Sequence, residues 1–205
     1  MTPFQTLTGI AAAVPIANID TDQLAPARFL KTVSRSGLGE ALLWSMRHDR
    51  RGSLREDFVL NREPWTRAQI LIALDNFGCG SSREHAVWAL GEFGIRAVIA
   101  PSFGDIFRGN CLENGLLPMR MPIGAIEELI VHASDPATAC FTISLPDGTI
   151  SAGKAIYAFA FDANEKDKLL RGADTLAESL SLMAQVERFE RALPSDPIPA
   201  GVWRA

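Results

Sequence analysis

Three short apolar runs, separated by two helix-like stretches, constrain this chain most. The run ILIAL (Ile70 to Leu74) has no polar member, as expected of a strand covered on both faces. A helical stretch through Ala86, Leu90 and Phe93 follows and is stopped at Gly94. RAVIAP (Arg96 to Pro101) reads as a second strand, GDIFRGNCLEN as a second helix stopped by Gly115, and LLPMRM as a third strand. This succession with short loops favours parallel neighbours and right-handed crossovers. The expectation is an α/β fold with a mostly parallel central sheet segment.

The flanks read differently. Before residue 60 lie an apolar N-terminal strand candidate, the polar ANIDTDQLAPARFLK, and a helix expected around GEALLWSMR. The charge-dense RHDRRGSLRED reads as solvated surface. After residue 138, FTISL alternates apolar and polar, and PDG supplies a turn before TISAG, so a hairpin is expected. Thr175 and Glu178 have capping-box spacing, and Leu176, Leu180 and Met183 fall on one helical face. The tail from 194 to 205, with its prolines, reads as loose.

A chain of 205 residues can bury one substantial core. A formal charge of −4 offers no basic surface for nucleic acid or anionic lipid, although one pocket can still favour a small anion. The N-terminus lacks a basic signal-like region and no run of about eighteen apolar residues occurs, so a cytoplasmic protein is expected, with no membrane or nucleic-acid partner. Cys79, Cys111 and Cys140 are odd in number and widely spaced, against a disulfide framework or a self-contained metal site.

The loop DNFGCGSSREHA, between the first run and its helix, concentrates the chemistry. It sits at the carboxyl end of an expected parallel strand, where open α/β sheets bind ligands. Gly78 and Gly80 allow a tight bend and a close backbone approach. Ser81 and Glu84 have the spacing of a helix cap, an alternative to any chemical role. Cys79 is a candidate nucleophile or simply a small buried side chain. His85, with no second ligand at useful spacing, suits orienting or packing better than metal binding. Arg83 is either a carboxylate fork or a surface ion pair. Neither a dinucleotide fingerprint nor a phosphate loop is complete here, since Arg83 stands at the third-glycine position and no Gly-Lys-Ser/Thr occurs.

The stretch NFGCGSSREHAVWAL closely resembles the signature of 3-isopropylmalate dehydratase small subunits and is similar to the swivel domain of aconitase. NIDTDQLAPARFL and APSFGDIFRGNCLENGLLP resemble the flanking blocks of that family, in the same order. Val87 stands where the family commonly has proline. The resemblance implies one three-layer β/β/α swivelling domain over 1–193, acting with a large subunit that supplies a four-iron four-sulfur cluster. No cofactor or metal is then expected on this chain itself.

The implied reaction is removal and readdition of water on a hydroxy-dicarboxylate in leucine biosynthesis. Ser81 aligns with the catalytic base. Its alkoxide would need help from helix-start amides and Arg83. Ser82 and Arg83 would engage a substrate carboxylate, Asp22 would orient, and Arg28 or Lys31 would serve as a second cation. Gly78, Cys79, Gly80, Glu84 and His85 would shape the site. The alternatives are a related hydro-lyase for homoaconitate, a methylated malate or citraconate, a non-catalytic partner subunit, and a thiol enzyme built on Cys79.

Overall fold

A computed structural model describes residues 1–29, 37–173, 176, 179–180 and 182–192. Lys31, the Thr175–Glu178 capping box and the tail from 194 lie outside the described residues.

Seven strands form one mixed, curled sheet. They are β1 (Thr6–Val14), β2 (Ala68–Ala73), β3 (Ala97–Ala100), β4 (Leu117–Arg120), β5 (Cys140–Ser144), β6 (Thr149–Ala152) and β7 (Ala155–Ala158). The order is β4-β3-β2-β1-β5-β6-β7, parallel from β4 to β1 and antiparallel from β1 onward. The expected parallel segment is present, and β1 joins it to the expected hairpin.

Alternate residues of the parallel strands feed two cores. Ala12, Val14, Leu71, Ala73, Val98 and Ala100 face one side. Ala11, Ala13, Ile70, Ile72, Ala97 and Ile99 face the other. ILIAL is apolar throughout because both of its faces are buried. On the first side pack α3 (His85–Phe93) and α4 (Asp105–Glu113), with Ile19, Leu24, Leu42 and Leu43 from the N-terminal third. On the second lie α5 (Ile123–Ser134), α6 (Ala163–Arg171) and the inner residues Phe141, Ile143 and Ile150 of the hairpin. Each fully buried Leu, Ile or Phe contributes about 1.5–3 kcal/mol relative to exposure. Arg108 of α4 donates to both Glu165 oxygens at 2.5 Å, and Lys168 reaches Glu113 at 2.5 Å, so α6 is pinned to α4.

Two expectations need correction. The helix around GEALLWSMR shrinks to α2 (Trp44–Arg47), because Leu43 takes a left-handed φ of 50° and its N–H donates to Leu24 O instead. The charged run is exposed from Asp49 to Glu56, but its first residue, Arg47, is half-buried and donates to Asn61 Oδ1 at 3.0 Å. Leu176, Leu180 and Met183 are exposed, as are Val186 and Phe189 of the last described helix, α7 (Met183–Ala192).

Candidate active site

Three loops leave the carboxyl ends of β1, β2 and β3, and they pair with one another in the same order as the strands. Residue Gly78 donates its N–H to Ile19 O at 2.7 Å, and Thr21 donates to Cys79 O at 3.0 Å. On the other side Phe77 N–H donates to Ser102 O, and Gly104 N–H to Phe77 O at 2.9 Å. The loop after β2 is thus clamped between residues 19–21 and 102–104, with parallel bridges Asp20–Cys79 and Phe77–Phe103. Asn76 and Asn18, both at positive φ, reinforce the clamp through a side-chain hydrogen bond of 2.9 Å. Backbone donors and acceptors that would otherwise need water are satisfied here, which fixes the loop without regular structure.

Within the loop, Gly78 has φ +74° and lies directly against the Phe107 ring. Its close approach is therefore to the core. Gly80, at φ +97°, is exposed and open on its outer side.

The N-terminal block contributes α1 (Thr21–Leu24), a single helical turn with a complete capping box between Asp20 and Gln23. Its first two residues reach two members of the loop. Thr21 Oγ1 lies 2.7 Å from Ser81 Oγ and also accepts the Ser81 N–H at 3.2 Å. Asp22 pairs with Arg83. These side chains remain 60% and 38% exposed, so the pair contributes only about 0.2–1 kcal/mol and yields readily to a competing carboxylate.

The structure bears on the capping alternative for Ser81. Helix α3 begins at His85 with Glu84 at the N-cap and no side-chain cap bond, so the Ser81–Glu84 capping box is not formed. Ser81 lies four residues ahead of the helix, and its hydrogen-bond partner is Thr21. The help expected from helix-start amides is accordingly corrected, because those amides belong to the turn after His85. Glu84 instead accepts from Asn114 Nδ2 at 2.7 Å, and Asn110 reaches Ser82 O at 3.4 Å, so α4 braces the loop from behind. His85 packs its ring against Trp88 at 4.7 Å, a packing role.

Arg28 is placed elsewhere. Its guanidinium lies over the Phe29 and Trp44 rings at 4.9 and 5.5 Å. It lines a cavity of about 450 Å³ with Trp44, His48, Arg50 and Arg51. Among the described residues it makes no hydrogen bond or ion pair with Ser81, Ser82 or Arg83. Cys79 is half-buried, Cys140 exposed, and burial pushes the Cys111 thiol well up. No group of three or more His, Cys, Asp or Glu side chains is placed to hold a metal among the described residues. Thr21, Asn110 and Asn114 were not singled out in the sequence; Asp20 and Gln23, spaced as a capping box, were the available signal for Thr21.

A family model for the aconitase C-terminal domain matches residues 1–124, which span the three loops and all four parallel strands. The small subunit of 3-isopropylmalate dehydratase from Dinoroseobacter shibae is 50% identical over 192 residues, covering 93% of this chain and 95% of that protein. The small subunit from Gluconobacter oxydans is 48% identical, covering 93% and 92%. A crystal structure of 3-isopropylmalate dehydratase from Methanocaldococcus jannaschii superposes with a TM-score of 0.65 at 24% identity, over 89% of this chain and 99% of that one, and shows the same fold. The chain belongs to the aconitase C-terminal domain family and, within it, to the 3-isopropylmalate dehydratase small subunits.

Proposed function

We propose that this chain is the small subunit of a two-subunit hydro-lyase that interconverts 2-isopropylmalate and 3-isopropylmalate, with Ser81 as the base. The observation that carries this reading is the placement of Ser81 and Arg83 side by side on a clamped loop at the carboxyl ends of three parallel strands. Ser81 Oγ takes a proton from the carbon next to the departing hydroxyl, and returns it when water adds at the neighbouring carbon. Arg83 exchanges Asp22 for a substrate carboxylate, offering two parallel N–H donors to it. Ser82, exposed beside it, adds a hydroxyl to the same carboxylate. Asp22 keeps the guanidinium oriented until substrate arrives. Arg28, held over the Phe29 and Trp44 rings, would have to leave them to serve as the cation for the second carboxylate; Lys31 is the other candidate.

The three cysteines do not fit an iron–sulfur cluster, since they do not converge. We therefore assign the cluster to the large subunit, where it supplies the Lewis acid for the hydroxyl, and place the proton chemistry on this chain. The site needs that partner to be complete. The cytoplasm is the compartment we assign; no described helix is long and apolar enough to cross a membrane.

The test is reconstitution with the large subunit under anaerobic conditions. Ser81→Ala should assemble normally and lose about 10²–10⁴-fold in kcat. Retained turnover in that variant would refute the base assignment.

A further inference from the structure

Thr21 is the one polar or charged residue that is buried among the described residues, at 2% exposure. A hydroxyl taken out of water needs partners, and an unmade bond there is costly. Among the described residues its side chain has one partner residue, Ser81, engaged twice. The Ser81 N–H already occupies a lone pair of Thr21 Oγ1. Thr21 has one hydrogen to give, and the acceptor within reach is Ser81 Oγ at 2.7 Å. Ser81 is half-buried and can direct its own hydrogen outward, so its bond need not run toward Thr21. The buried member of the pair is thus the donor.

We infer that Thr21 is a positioning residue that holds Ser81 Oγ in place and stabilises its deprotonated form through this donated hydrogen bond. The inference rests on the reading of Ser81 as the base. A hydrogen bond to an ionised oxygen is roughly twice as strong as one between neutral groups. The Thr21 bond therefore favours the alkoxide over the hydroxyl. Thr21 keeps its proton throughout. The substrate proton ends on Ser81 Oγ, the electron pair of the broken C–H bond forms the C=C bond, and the hydroxyl on the neighbouring carbon leaves with its bonding pair, a departure that a Lewis acid on the large subunit would assist.

Three features keep the donor fixed. Thr21 is the first residue of α1, whose start is closed by Gln23 N–H to Asp20 Oδ1 at 2.7 Å and Asp20 N–H to Gln23 Oε1 at 2.9 Å. Its own N–H is tied to Cys79 O, two residues before Ser81. Its β-branched side chain has few rotamers to choose from.

The experiment compares Thr21→Val, which keeps the shape and removes the hydroxyl, with Thr21→Ser, which restores it, in the reconstituted two-subunit enzyme. Thr21→Val should lower kcat by about ten- to a hundredfold with KM within about threefold, the effect of losing one hydrogen bond to a charged group. Thr21→Ser should recover most of kcat. In a Ser81→Ala background, Thr21→Val should cause no further loss, because the threonine acts through the serine. Near-normal turnover in Thr21→Val beside an inactive Ser81→Ala would overturn the inference and leave the base assignment standing. Turnover retained in Ser81→Ala itself would remove both. A kcat loss that Thr21→Ser does not recover, or that accompanies lost assembly, would make Thr21 structural and also overturn the inference.

Discussion

Replacing Gly78 by alanine tests whether the clamped loop is as tightly specified as its geometry indicates. A Cβ built at Gly78 falls 2.2 Å from Phe107 Cγ, 2.4 Å from Cδ1 and 2.7 Å from Cδ2. Phe107 cannot simply withdraw. It is buried, sits edge-on to Phe77 at 5.5 Å between centroids, and stacks on Phe103 at 6.5 Å. Two costs combine. A left-handed conformation costs an alanine about 1–2 kcal/mol, and overpacking a filled core costs about 1–3 kcal/mol. The expected loss is about 2–5 kcal/mol, a large share of the roughly 5–15 kcal/mol available to a domain. At about 2–4 °C per kcal/mol for a chain of this size, Tm should fall by about 4–20 °C. Gly80→Ala is the internal control. Its φ of +97° is equally unsuited to alanine, but the nearest atom to its Cβ is Asp20 Cβ at 3.5 Å. It should cost only the backbone part. Thermal and denaturant unfolding of both variants measure the difference. Equal costs in the two variants, or a Gly78→Ala Tm within about 2 °C of wild type, would refute the packing argument.

Two further outcomes follow from the site and its supports. Arg83→Lys keeps the charge but not the fork, and should lose about 1.5–3 kcal/mol in kcat/KM, or about ten- to a hundredfold; near-normal kinetics in the reconstituted enzyme would place the carboxylate elsewhere. For Glu92, burial alone would raise the carboxyl, but the N–H groups of Gly37, Gly39 and Leu38 outweigh it and hold the group below its ordinary value. The stability from this clamp is present above the ordinary carboxylate pKa and lost as pH falls through the lowered one. Melting scans between about pH 6 and about pH 3 should therefore show a larger drop in the wild type than in Glu92→Gln, and parallel curves would count against the clamp.

The middle of the fold was legible because its signals are local. Ile70 to Leu74 is apolar on both faces, Gly94 takes the left-handed turn that ends α3, and the loop after Leu145 turns between β5 and β6. Periodicity and turn chemistry carry such information over a few residues. The composition and order of the three motif blocks likewise marked the loop that carries Ser81 and Arg83.

Partner choice was not local. β1 pairs with β2 on one side and β5 on the other, about 60 and 130 residues away, and nothing within Thr6–Val14 specifies either neighbour. Helix α5 was not anticipated, although Ile126, Leu129 and Ala133 form its buried stripe. Ser81 and Glu84 have the spacing of a cap, yet the capping box of this region is Asp20–Gln23, because the loop after β2 is held by neighbouring loops until His85. The sequence by itself marked the loop on which the candidate site residues lie and most of the segments that become strands and helices. Only the tertiary structure decided that Thr21 faces Ser81 and Asp22 faces Arg83, since contacts across 60 residues of chain arise from how the strand ends stack and leave no periodic trace in either segment.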